Sequence, residues 1–92
     1  MIKSRKEEIV MEIKVLGTGC ANCKRLLGNV NECIDQLKIQ ANVIYVTDLI
    51  EISKTGILRT PGLMINGKIV SYGKVNTIEE ISELISRNQD IK

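Results

Sequence analysis

Four residues, Cys20-Ala21-Asn22-Cys23, narrow the possible folds of this chain more than any others. They follow an apolar run (Ile13, Val15, Leu16) and a flexible Gly17-Thr18-Gly19 linker, and they open a helical stripe of apolar residues. A strand must therefore hand two thiols to the first turn of a helix. There, unpaired backbone N–H groups and the positive end of the helix dipole favour a thiolate over a thiol. Cys20 is the candidate nucleophile, with Cys23 close enough in sequence to close a ring with it reversibly. Gly19 and Lys24 flank the pair as supporting residues; Lys24 and Arg25 either add positive potential there or form a solvated helix face.

The rest of the chain alternates strand and helix periodicities. From Glu12 to Leu16 polar and apolar residues alternate, as in a strand entering a core. Between Asn22 and Gln40, Cys23, Leu26, Leu27, Val30, Cys33, Ile34 and Leu37 recur at three- and four-residue steps, which predicts one amphipathic helix. Gly28 costs that helix about 1 kcal/mol relative to Ala and predicts a bend or a close packing contact. Cys33 lies on the apolar stripe and reads as a small, polarizable core side chain.

Asn42 to Val46 is rich in β-branched and aromatic residues and predicts a second strand. Asp48 as N-cap, with Glu51 three residues on, opens a short helix through Leu49, Ile50 and Ile52 that ends near Gly56. Asn66-Gly67 separates Leu63-Met64-Ile65 from Lys68-Ile69-Val70-Ser71-Tyr72, and that pair is the strongest short-range hairpin signal because both turn positions need positive φ. Thr77 and Glu80 predict a reciprocal cap on a last helix that buries Ile78, Ile81, Leu84 and Ile85. The order is βαβαββα, an α/β fold. A right-handed crossover makes the first two strands parallel, and the hairpin completes a mixed four-stranded sheet with helices on both faces.

Ninety-two residues suffice for one domain, expected over 11–92 after a polar N-terminal extension, 1–10. With no Phe or Trp, Ile, Leu and Val must fill its core. The net charge of +2 is scattered, which argues against nucleic acid as a partner. No run approaches the roughly 18 apolar residues that span a bilayer, so no membrane partner is expected. Three cysteines without a secretory leader predict a cytoplasmic protein doing redox or metal chemistry. A structural staple between Cys20 and Cys23 would add only about 2 kcal/mol on the chain-entropy view. With three cysteines and no histidine, the chain lacks a Cys/His set for structural zinc.

Gly17 to Cys23, the element order and Thr60-Pro61 at the start of the third strand together resemble the small thioredoxin-like proteins sometimes called redox-active disulfide proteins. These are glutaredoxin-sized members of the thioredoxin superfamily, and the resemblance covers about residues 11 to 87. It implies a thioredoxin-like fold with Pro61 in the cis form beside the cysteines. It also implies that Cys20 attacks a target disulfide, that Cys23 resolves the mixed disulfide, and that the Thr60-Pro61 backbone pairs with an extended substrate. Electrons would come from a thioredoxin-reductase-like donor and pass to disulfide-containing proteins or small disulfides, with no bound cofactor. Only X–Pro bonds reach cis at a cost as low as about 0.5–1 kcal/mol; the plainer reading of Pro61 is a trans proline starting an edge strand.

The sequence departs from the superfamily pattern in carrying Ala21-Asn22 between the cysteines and no Trp before Cys20, which leaves substrate preference and potential open. No buried acid stands out as proton acceptor for Cys23. The same Gly-Thr-Gly-Cys-Ala-Asn-Cys run also resembles the copper site of heavy-metal-associated domains, since two thiolates suit Cu(I). That family runs βαββαβ. A helix over Asp48 to Lys54 favours the redox protein and a strand the soft-metal carrier.

Overall fold

Alternation in β1 (Met11–Leu16) sends Ile13 and Val15 to one face of a sheet and Lys14 and Leu16 to the other. The computed structural model describes residues 11–88, so the expected extension, 1–10, lies outside the described residues. The elements then run α1 (Ala21–Leu37), β2 (Ala41–Val46), α2 (Leu49–Lys54), β3 (Gly62–Ile65), β4 (Lys68–Tyr72) and α3 (Ile78–Asn88). This is the βαβαββα order expected from the sequence. The four strands form one sheet in the order β2-β1-β3-β4, with β1 parallel to β2 and antiparallel to β3.

One face of the sheet lies under α1 and α3. Leu26, Val30 and Cys33 of α1, Ile81 and Ile85 of α3, and Ile13, Val15, Leu63 and Ile65 of the strands form a continuous aliphatic core. Cys33 is fully buried in it, as its place on the stripe predicts. Leu37 is 41% exposed because the helix ends there, at a left-handed Lys38. Gly28 does not interrupt α1 and meets no neighbour: the helix runs through it, and a Cβ there would point into open space.

The other face carries only the short α2. Asp48 caps it by accepting a hydrogen bond from the Ile50 N–H at 2.9 Å, while Glu51 pairs with Lys54 at 3.5 Å. Ile52 is buried, but Leu49 and Ile50 are about two-thirds exposed, at 66% and 67%. A helix at this position is incompatible with the βαββαβ order of the metal-carrier alternative.

Two local signals act as the sequence predicts. Asn66 and Gly67 both take positive φ, 52° and 85°, and Asn66 ties the hairpin to β1 by exchanging two hydrogen bonds with the Glu12 backbone, at 2.7 and 2.9 Å. At the head of α3, the Glu80 N–H donates to Thr77 Oγ1 and the Thr77 N–H donates to the Glu80 carboxylate, both at 3.1 Å. That pairing holds the Glu80 carboxyl below its ordinary range, with the nearby Lys74 ammonium contributing.

Candidate active site

Register brings the candidate residues to one edge. Leu16, the last residue of β1, lies opposite Gly62, the first of β3. The Gly17–Cys20 turn and Thr60-Pro61 therefore leave the sheet side by side. The Thr60-Pro61 peptide is cis, as the resemblance implies. Pro61 is buried and its carbonyl accepts the Gly73 N–H at 2.8 Å, whereas Thr60 is exposed. Beside them Leu58, Arg59, Tyr72 and Gly73 line an open recess of about 400 Å³.

Cys20 caps α1. Its backbone is extended (φ −72°, ψ 168°), and its Sγ accepts the Cys23 N–H at 3.3 Å. Sulfur thus takes the part an Asp or Ser oxygen usually plays at a helix start. Its Sγ also lies 2.7 Å from Cys23 Sγ. The two sulfurs differ in exposure: Cys20 is open to solvent and Cys23 is fully buried. The Cys20 thiol is lowered from its ordinary range, first by the side-chain hydrogen bond with Cys23 and then by the Cys23 backbone N–H, with slight desolvation acting the other way. Cys33 is the opposite case, its thiol pushed up by burial.

The two linker glycines act differently. Gly19 turns the chain at φ 94°, a left-handed conformation that suits glycine. Gly17 leaves room instead: a Cβ there would run into Cys23 Sγ and Cβ. Flexibility, expected for both, describes neither. Lys24 and Arg25 are exposed on α1, and the groups that favour the Cys20 thiolate are Cys23 and backbone N–H groups.

Sequence reasoning missed Tyr45. It reads as one more aromatic residue in a strand, yet its hydroxyl is sealed from solvent without a hydrogen-bond partner. Its phenol is pushed up by burial and then by the nearby Cys23 and Cys20 sulfurs. The signal lay in strand pairing: β2 places Tyr45 opposite Val15, two residues before the cysteine turn begins.

Comparison with known proteins agrees with this geometry. A thioredoxin-domain family profile matches residues 11–86. The chain is 35% identical over 77 residues to a thioredoxin of Methanothermobacter thermautotrophicus, covering 84% of this chain and 100% of that protein. It is 36% identical over 75 residues to a thioredoxin of Methanocaldococcus jannaschii, covering 82% of this chain and 86% of that one. Among solved structures, the oxidised thioredoxin of Plasmodium falciparum superposes with a TM-score of 0.59 at 19% identity, over 95% of this chain and 94% of that one. Thioredoxin-2 of the malaria parasite secretion machinery does so with 0.65 at 10% identity, over 86% and 84%. These two likenesses speak for the fold, and the sequence matches go further: the chain belongs to the thioredoxin family of thiol–disulfide oxidoreductases.

Proposed function

We propose that this protein reduces disulfides by cycling Cys20 and Cys23 between dithiol and disulfide. The observation that carries the reading is an exposed Cys20 Sγ 2.7 Å from a buried Cys23 Sγ. The exposed sulfur, its ionised form favoured at the helix start, attacks one sulfur of a target disulfide. A Cys20–target bond forms as the target bond breaks, and the released target sulfur takes a proton from water. Cys23 then gives up its proton and attacks Cys20 Sγ. The second target sulfur leaves as a thiol, and two electrons have passed to the target.

The remaining site residues serve this exchange. Thr60, exposed beside the cysteine turn, offers its backbone to an extended target segment, with Pro61 anchoring it from the core. The recess past Arg59 suits an apolar target side chain, since Leu58 is 87% and Tyr72 47% exposed there. Gly19 gives the turn that leaves Cys20 outward, and Lys24 adds a solvent-screened positive field. A thioredoxin-reductase-like donor returns two electrons to the disulfide, and the cytoplasm is the compartment in which such a dithiol is kept reduced.

Two substitutions test the roles. Cys20→Ser abolishes reduction of a peptide disulfide by the reduced protein, whereas Cys23→Ser accumulates a covalent adduct with the peptide that dithiothreitol releases and mass spectrometry detects. Turnover retained by Cys20→Ser would show that another sulfur attacks first.

A further inference from the structure

Arg59 directly precedes Thr60-Pro61, and its stem is held in place there. The Gly73 backbone (φ 77°) comes so close that a Cβ on Gly73 would lie 3.3 Å from Arg59 Cδ and 3.4 Å from Arg59 Cβ. The Gly73 N–H is bonded to the Pro61 carbonyl at 2.8 Å, which ties this contact to the cis peptide. Arg59 thus rests its aliphatic part on an anchored glycine while the residue as a whole stays exposed.

The cysteine helix brings two more cations to the same edge. The Lys24 N–H donates to the Cys20 carbonyl at 3.0 Å, one helical turn on, so Lys24 shares a face with Cys20, and Arg25 follows it. These charges run against the helix dipole. α1 has no acid in its first turn and no base in its last, while Glu32 and Asp35 fall toward its C-terminal end. α2 and α3 take the arrangement the dipole favours, with Glu51, Glu79 and Glu80 at their starts and Lys54 and Arg87 at their ends. Helix stability therefore does not explain a basic head on α1. Nor does activation of Cys20, whose thiol is lowered by Cys23 and backbone N–H groups. Among the described residues Lys24, Arg25 and Arg59 form no ion pair, whereas Lys54, Lys74 and Arg87 each do. Asp48, just past the end of β2, is occupied in capping α2.

We propose that this site selects disulfides flanked by acidic residues, with Arg59 as the specificity-determining residue. The inference rests on the disulfide-reducing role and names its substrate class. A target segment extended along the Thr60 backbone must pass Arg59, whose guanidinium fork suits a carboxylate beside the target cysteine. Lys24 and Arg25 attract the same carboxylates from the cysteine side, and all three cations repel a basic flank. Because the three are exposed, selection acts on encounter and docking and is screened by salt.

Two peptide disulfides that differ only in carrying Asp or Lys beside the cysteines test this. At about 20 mM salt the reduced protein should show a kcat/KM about tenfold higher for the Asp peptide, with the gap in KM, and about 0.5 M salt should close most of it. Arg59→Gln should remove most of the preference and Arg59→Glu should reverse it. Both variants should keep the native pH profile of Cys20 alkylation by uncharged iodoacetamide, which a change in the thiol or in the fold of the site would shift. Equal kcat/KM for the two peptides at low salt, or an Asp preference that survives Arg59→Glu, overturns the proposal and leaves disulfide reduction standing. Failure to reduce either peptide would overturn the disulfide-reducing role itself.

Discussion

The sheet face under α1 and α3 and the edge at the end of β1 are built from the same strands but follow different rules. Under the helices, Ile13, Val15, Leu26, Val30, Leu63 and Ile81 are fully buried aliphatic groups, and Cys33 is an inert thiol among them. Every choice there agrees with burial. At the edge, a cysteine caps a helix, a glycine exists to make room for sulfur, and a hydroxyl is buried without a partner. Most of these departures gather where chemistry is done, although Asn76 Oδ1, away from the cysteines and just before α3, is also buried without a partner. Stability and reactivity thus reside in adjoining but separable parts of this small fold.

Separability has a direct check. Ile81→Ala, in the first turn of α3, removes a fully buried side chain and should destabilise the fold by about 2–5 kcal/mol in chemical denaturation, while the folded fraction keeps its rate of disulfide reduction. A matching fall in the rate per folded molecule would join the two regions. Gly17→Ala should do the reverse. Its methyl pushes on Cys23, so overpacking costs about 1–3 kcal/mol, and the larger loss should be in closure of the Cys20–Cys23 bond, read as slower release from the mixed disulfide. Gly28→Ala is the mildest of the three. With open space at its Cβ and helical backbone on both sides, it should stabilise the protein by up to about 1 kcal/mol and leave thiol chemistry untouched.

Those substitutions also mark what the sequence made legible. Helix and strand order follow from local periodicity and from local signals at Asp48, Asn66-Gly67 and the Thr77/Glu80 pair, each of which acts within a few residues. The thiol pair is equally local. Gly17 is not: its reason is Cys23, six residues on, folded back against it. Tyr45 depends on a parallel register between β1 and β2 that no nearby residue announces. Gly28 misled in the other direction, since a glycine with neither a neighbour nor an unusual φ carries no structural message. Leu49 and Ile50 lie in the short helix that the sequence predicts, but α2 buries only Ile52.

The difference between an exposed, activated sulfur and two shielded ones is the central claim, and alkylation of the reduced protein measures it. Iodoacetamide, applied over a pH series with each site quantified by mass spectrometry, should modify Cys20 first, with half-maximal rate at a pH below that of an ordinary cysteine. Cys23 and Cys33 should stay protected until the protein is unfolded. Equal reactivity of the three sulfurs, or a Cys20 profile matching a free thiol, would contradict the account.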